Sequence, residues 1–212
     1  MTNVLILGAG GQIAHHAEKQ LLDETDAKLT LFLRHPKKVT VSDDSRETVV
    51  TGDAANVSDV AAAVKGQDFV YANLAGGNIG DQARTIVKAM DEAGVKRLAW
   101  ISTLGIYDEV PGNFGKWNNE TLDGYLQSYA AAAKVIEDSD LDYTIIRPAW
   151  LQNKDEVDYE ITNKGEAFKG TEVSRKSIAA VVTSLIKDPT EHVRASIGVN
   201  KPNTDGDKPS WY

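Results

Sequence analysis

The chain has 212 residues and a formal net charge of −8 from 23 basic and 31 acidic side chains. That balance excludes a binder of phosphate backbones, which needs a basic face, and the absence of cysteine removes disulfides, thiolate nucleophiles and thiolate metal sites together. No basic leader with a cleavable apolar segment opens the sequence and no apolar run is long enough to span a bilayer, so the expectation is one cytoplasmic domain over 1–212, with neither membrane nor nucleic acid as partner.

The first element is the most informative. An apolar run, Val4 to Leu7, stops at Gly8-Ala9-Gly10-Gly11, and a helical pattern begins at Gln12. A strand turning this tightly into a helix is a phosphate-binding device: glycines let the backbone come close, and the free N–H groups at Gln12, Ile13 and Ala14 lie at the positive end of the helix dipole. Two registers compete. The dinucleotide fingerprint G-x-G-x-x-G starting at Gly8 puts Ile13 where a small residue is needed, whereas G-x-x-G-x-x-G/A puts Gly8, Gly11 and Ala14 at the three small positions, and we adopt the second. A glycine turn without a ligand is the plain alternative, and the later strands decide against it.

Helical spacing of Ile13, Ala17, Leu21 and Leu22 predicts a helix to about Glu24, followed by a second strand, Leu29 to Leu33. Arg34 closes that strand with His35, Lys37 and Lys38 behind it, and no acid intervenes between Asp26 and Asp43. In a dinucleotide fold an acid at this place binds the ribose 2′-OH of NAD, whereas an arginine accommodates the 2′-phosphate of NADP; the pattern therefore predicts NADP(H) over NAD(H). Glu47 to Thr51 reads as a third strand, leading to Gly52-Asp53-Ala54 and a helix from Val57 to Lys65. Asp53 is either an acceptor for the adenine amino group or a turn-capping residue, and the sequence leaves both open.

The fourth strand starts at Asp68 and leaves through Asn73-Leu74-Ala75-Gly76-Gly77, small enough at Ala75 and Gly76 for backbone approach to a cofactor. A helix from about Asp81 to Ala93, stopped by Gly94, leads to a fifth strand, Arg97 to Thr103. Gly105 to about Asp123 is expected to be a long polar loop forming one wall of a substrate pocket, with Tyr107 able to reach it. A helix from about Gly124 to Asp138 and a sixth strand ending at Pro148 follow.

Strand and helix alternation through six units predicts an α/β fold, a Rossmann-type doubly wound parallel sheet with right-handed crossovers. Its core would be about 1–150. The rest, 151–212, would complete the pocket with a helix at Ser177–Lys187 and an edge strand at Ala195–Val199; the last residues, 200–212, could cover the pocket, join a dimer or fray. Ligands in such sheets bind beyond the carboxyl ends of the strands, where Gly8 to Ala14, Arg34, Asp53, Ala75 and Thr103 all fall. His15 and His16 are helix neighbours that cannot converge on one metal, so no metal site is expected.

Gly8-x-x-Gly11-x-x-Ala14, Arg34, Gly52-Asp53, Ser102-Thr103-x-Gly105-x-Tyr107, Lys134 and Leu141-Asp142-Tyr143-Thr144-Ile145-Ile146-Arg147-Pro148 together resemble the atypical short-chain dehydrogenase/reductases, in the NmrA-like and NAD(P)H-flavin-reductase-like branch. The resemblance implies cofactor contacts from Gly8, Gly11, Gln12, Ile13, Ala14, Arg34, Asp53, Ala54, Leu74, Ala75, Gly76, Thr103, Lys134 and Pro148. It further implies a catalytic hydroxyl at Thr103, with Ser102 beside it, and a Tyr-x-x-x-Lys pair whose lysine is Lys134. The tyrosine position is then Ala130. Tyr129 is five residues from Lys134 and about 140° away around a helix, so Tyr125 and Tyr129 are read as a packed i,i+4 pair. Without a positioned phenol, hydride transfer from NADPH to a planar acceptor such as a flavin, quinone or enone is the leading expectation, since it asks little beyond placement. A redox sensor that binds NADP(H) without chemistry is the second reading. A sugar-nucleotide epimerase or dehydratase is the third, disfavoured by the short C-terminal part. A small-molecule acceptor and a monomer or homodimer complete the expectation.

Overall fold

Apolar residues alternate between two cores along the first strand. Val4 and Ile6 join one cluster while Leu5 and Leu7 join the other, as expected for a strand covered on both faces. The computed structural model describes residues 1–212. Strand β1 (Asn3–Leu7) leads into α1 (Gln12–Glu24), then β2 (Lys28–Leu33), a short 3-10 turn at Pro36–Lys38, β3 (Glu47–Thr51) and α2 (Val57–Val64). There follow β4 (Phe69–Ala72), α3 (Ile79–Ala93), β5 (Arg97–Ile101), α4 (Gly112–Thr121), α5 (Tyr125–Glu137) and β6 (Asp142–Pro148). The remainder holds β7 (Trp150–Gln152), β8 (Glu160–Asn163), β9 (Glu172–Ser174), α6 (Arg175–Lys187) and β10 (Ala195–Asn200).

The main sheet has eight strands in the order β3-β2-β1-β4-β5-β6-β10-β8, and only β8 runs antiparallel to its neighbour. From β3 to β6 this is the doubly wound order, with its reversal between β1 and β4. Side chains of α1 and α6 fill the core on one face, those of α2, α3 and α5 the core on the other. The predicted α/β class holds, and the structure corrects two details. Ala195–Asn200 is no edge strand: it pairs with β6 on one side and β8 on the other. The expected loop after β5 contains a helix, α4, although two glycines and three asparagines disfavour one. Phe114, Gly115 and Asn118 are buried, so packing outweighs propensity, and a Cβ on Gly115 would stand 2.0 Å from the Val110 carbonyl oxygen.

Arg147 ties this region down. Its guanidinium is fully buried, pairs with Glu109, donates to Ser196 Oγ at 3.0 Å and stacks over the Tyr107 ring. Glu109 in turn accepts from the backbone N–H groups of Gly105 and Tyr107. A charge this deep is tolerated only with such a set of partners, and the set fixes the β5–α4 connection against β6 and β10.

On α1, Glu18 is buried against Glu47, and Glu47 Oε2 accepts from the Ser42 and Asp43 N–H groups. Glu18 Oε2 and Glu47 Oε1 have no other partner, which a proton shared between the carboxyls explains. Burial, and then the neighbouring carboxylate, push Glu18 up to about 7. A carboxyl that holds its proton more tightly when folded stabilises the protein fully at low pH. Stability should therefore fall as pH rises from about 4.5 to about 7 and level off above, by on the order of 1–3 kcal/mol. Urea denaturation across that range should show this slope in the wild type, and Glu18→Gln, which keeps the hydrogen bond without a titrating proton, should flatten it.

Candidate functional site

The glycine turn is shaped by its neighbour before any ligand is considered. Gly8 has φ +81°, and a Cβ there would sit 2.2 Å from the Asn73 carbonyl oxygen. A Cβ on Gly11 would meet Asn73 Nδ2 at 2.2 Å. The turn thus lies against the exit of β4, while Gly8 N–H and Ala9 N–H donate to the Phe32 carbonyl of β2. Helix α1 begins at Gly11 with no side-chain cap and no acid in its first turn. Its leading N–H groups are therefore left for an anion.

A cavity of about 280 Å³ opens on this turn, at the carboxyl ends of β1 to β4. Gly8, Gly11, Arg34, Asp53, Ala54, Leu74 and Ala75 line it, as expected. His35 and Lys38 of the expected basic cluster and Gly52 of the Gly52-Asp53 turn line it too, and so do Asn73, Phe32 and Gln82, to which the sequence reading gave no role. Gly52 is required because a Cβ would stand 2.5 Å from the Phe32 ring, and Asp53, which lines the cavity, also acts as a turn residue, its Oδ1 accepting from Ala55 N–H at 2.9 Å. Arg34 and Lys38 are exposed at the mouth, and neither forms an ion pair. On a chain this acidic, two free cations beside an uncapped helix start make a local anion site.

Other expected residues lie elsewhere. Gln12 is exposed off the cavity and Ile13 and Ala14 are core side chains, so those three can offer only backbone groups. Gly76, with φ +122°, is exposed and does not line the cavity. Pro148 is buried at the end of β6, where its carbonyl accepts from Leu104 N–H.

A second pocket, about 390 Å³, lies at the carboxyl ends of β5 and β6. Thr103 lines it with Tyr125, Ala149, Trp150, Trp211 and Tyr212 among others. Ser102, by contrast, is buried with its hydroxyl unpartnered and does not reach either pocket. Tyr107 is a correction: its hydroxyl donates to Glu137 Oε1 at 2.7 Å and its ring lies between Arg147 and Lys164, so it belongs to the clamp behind β6 and not to the pocket. Burial, the main cause, raises its phenol pKa.

Lys134 is the larger correction. Its side chain is 73% exposed and ion-paired with Asp138 at 2.8 Å, away from both pockets. The reason is helical phase. Tyr125, which lines the pocket, is nine residues earlier, and nine steps of about 100° put the two on opposite sides of the helix. Ala130 packs toward the α3 side of the sheet. Tyr125 and Tyr129 do pack as the expected pair, with rings stacked at 4.3 Å and hydroxyls 2.6 Å apart. What the sequence reading missed is that this pair carries a phenol to the wall shared with Thr103. Burial chiefly, then the bond to Tyr125, raises the Tyr129 phenol pKa, so that hydroxyl keeps its proton.

A wound parallel sheet with a glycine turn, an open helix start and free cations around one cavity defines an NAD(P)-binding Rossmann-type protein. The chain belongs to the NAD(P)H-binding family, whose pattern matches residues 8–189. Among solved structures, it is similar to a Rossmann-fold NAD(P)-binding family protein from Shigella flexneri, at 44% identity over 99% of this chain and 98% of that one, TM-score 0.86. It is also similar to a short-chain dehydrogenase/reductase from Veillonella parvula, solved in complex with NADP, at 34% identity over 99% of both chains, TM-score 0.92. A third relative, the uncharacterised sugar epimerase YhfK of Bacillus subtilis, is 29% identical over 97% of this chain and 95% of its own. No helix is long and apolar enough to cross a membrane.

Gly8→Ala should disrupt this site from within, because the positive φ and the Asn73 carbonyl leave no room for a methyl group. The expected result is a lowered thermal midpoint together with loss of NAD(P)H binding by fluorescence titration, whereas Gly66→Ala, also at positive φ but with nothing within 4 Å, should leave cofactor binding intact.

Proposed function

We propose that the protein is an NADPH-dependent reductase of a small planar acceptor such as a flavin, quinone or enone. The observation that carries this reading is the pairing of an anion-binding, glycine-lined cavity with a mainly aromatic and apolar pocket, whose polar side chains are Thr103, Tyr125, Tyr212 and Arg175. The glycine turn and cations fit NADP(H): the uncapped start of α1 would hold the pyrophosphate through its backbone N–H groups, and Arg34 with Lys38 would pair with the 2′-phosphate. The complex of the Veillonella parvula relative with NADP supports the same reading. When bound, NADPH supplies the hydride.

The chain's own contribution is placement and a proton. Thr103 is in position to hold a polar group of the acceptor by a hydrogen bond. Tyr125 offers a phenol whose hydroxyl donates to Tyr129, and burial raises the pKa of that second phenol and keeps its proton in place. Trp150, Trp211 and Tyr212 supply flat faces that orient a planar molecule and exclude water from one side. Sugars ask for many directed hydrogen bonds, and this wall offers few, which favours the reductase over epimerisation.

Purified protein should oxidise NADPH in the presence of at least one member of a panel of flavins, quinones and enones. Tight NADPH binding with no oxidation across the panel would replace the reductase by a binding-only sensor, and turnover of nucleotide sugars would replace it by an epimerase. Cofactor choice has its own test. Arg34→Ala should weaken NADPH by about 10-fold to 100-fold, the worth of one charge-assisted bond to phosphate, and change NADH affinity by less than about 2-fold; isothermal titration with both cofactors measures the contrast.

A further inference from the structure

The aromatic pocket contains a cation that nothing in the fold neutralises. Arg175 opens α6 directly after its cap, Ser174, and is partly buried on the pocket wall. Its guanidinium donates one hydrogen bond, to Asn153 Oδ1 at 2.8 Å, and has no carboxylate partner. The titrating groups around His16 and Lys176 do not supply one. His16 on α1 and Lys176 on α6 share its sign when charged, and Asp155 is bound to Lys176 at 2.7 Å. The guanidinium is only partly covered, and the donors of its fork that no protein group takes are free for an anion from solution.

The rest of the wall says what carries that anion. Tyr125, Trp211 and Tyr212 are among the few large apolar side chains the fold leaves exposed, at 41%, 46% and 57%, and all three gather at this pocket. Tyr212 meets Trp117 and Trp150 edge-on at 5.0 and 5.6 Å, so the rings form one connected surface. Exposed rings concentrated at one place mark a surface made to be covered. Flat aromatic area next to one planar, bidentate cation matches a flat molecule with a carboxylate at its margin.

We propose that the acceptor pocket binds planar aromatic carboxylates, with the carboxylate seated on Arg175 and the ring system against Trp150, Trp211 and Tyr212. This names the substrate class of the reductase site and rests on that reading for its chemistry, though not for its binding. Arg175 acts as a specificity-determining residue: it selects acids over neutral molecules of the same shape.

The test is equilibrium binding to protein loaded with NADP+, so that hydride transfer plays no part. 2-Naphthoate and 2-naphthamide are titrated by calorimetry against wild type, Arg175→Met and Arg175→Lys. Wild type should bind the acid at least about 10-fold tighter than the amide; Arg175→Met should abolish that preference by weakening the acid alone, and Arg175→Lys should restore part of it. Equal affinities in wild type, no binding of the acid, or a preference that survives Arg175→Met would each overturn the proposal. The wild-type comparison decides even if a variant fails to fold. Failure of NADPH turnover with every acceptor would sink the reductase reading and leave this binding result standing, and a failed binding result leaves turnover of neutral acceptors intact.

Discussion

The site depends on how closely the β1–α1 turn lies against the exit of β4. Asn73 fills with its own carbonyl and amide the space that Cβ atoms at positions 8 and 11 would need, so the glycines serve packing between neighbouring strands as directly as approach to a phosphate. That contact holds the turn between β2, through the Phe32 carbonyl, and β4, and leaves the start of α1 open. Everything on the cofactor side follows from it. A backbone donor array needs no side chain to be ordered on binding, so little conformational entropy is lost there.

Much of the fold could be read in the sequence because the parallel sheet is covered on both faces. Runs such as Val4–Leu7 and Leu98–Ile101 are apolar throughout, and the helices between them carry one stripe each, so both periods stand out. Residues reported by their neighbours in sequence were found: the glycine turn, Arg34, Asp53 and Thr103 all reached a pocket. Helix α4 was hidden because its own propensity argues for a loop, and only Phe114, Trp117 and Asn118 seated against β7 and the core make it helical. Asn73 and Arg175 gave no local signal at all. One is recognisable only by what it excludes at Gly8 and Gly11, the other only by lacking a carboxylate partner in three dimensions.

Lys134 shows a different kind of failure. A motif carried over by spacing fixes a residue's position along a helix and, with it, the face it presents. Here the helix turns Tyr125 to the pocket and Lys134 to solvent, where an i,i+4 bond to Asp138 satisfies it. Surface pairs of this kind contribute little, so nothing but the phase of α5 against α3 and the sheet set the outcome. The phenol pair then takes over the face that the expected lysine would have needed. Tyr129 cannot supply a positive charge, and its neutral hydroxyl changes what the wall can do: it can pass or hold a proton, but it cannot stabilise a phenolate as an ammonium would.

The position of β10 carries a last consequence, for the chain during its synthesis. The edge of β6, whose Ile145 and Ile146 lie on its two faces, is sealed only when β10 pairs with it, and β7, β8, β9 and α6 all come before that strand. Until that strand leaves the ribosome, the nascent chain presents a bare parallel edge flanked by apolar side chains, the kind of surface on which strands of separate molecules pair. The sheet is thus completed only after four intervening elements, and a polypeptide halted before residue 195 would be a hazard of aggregation.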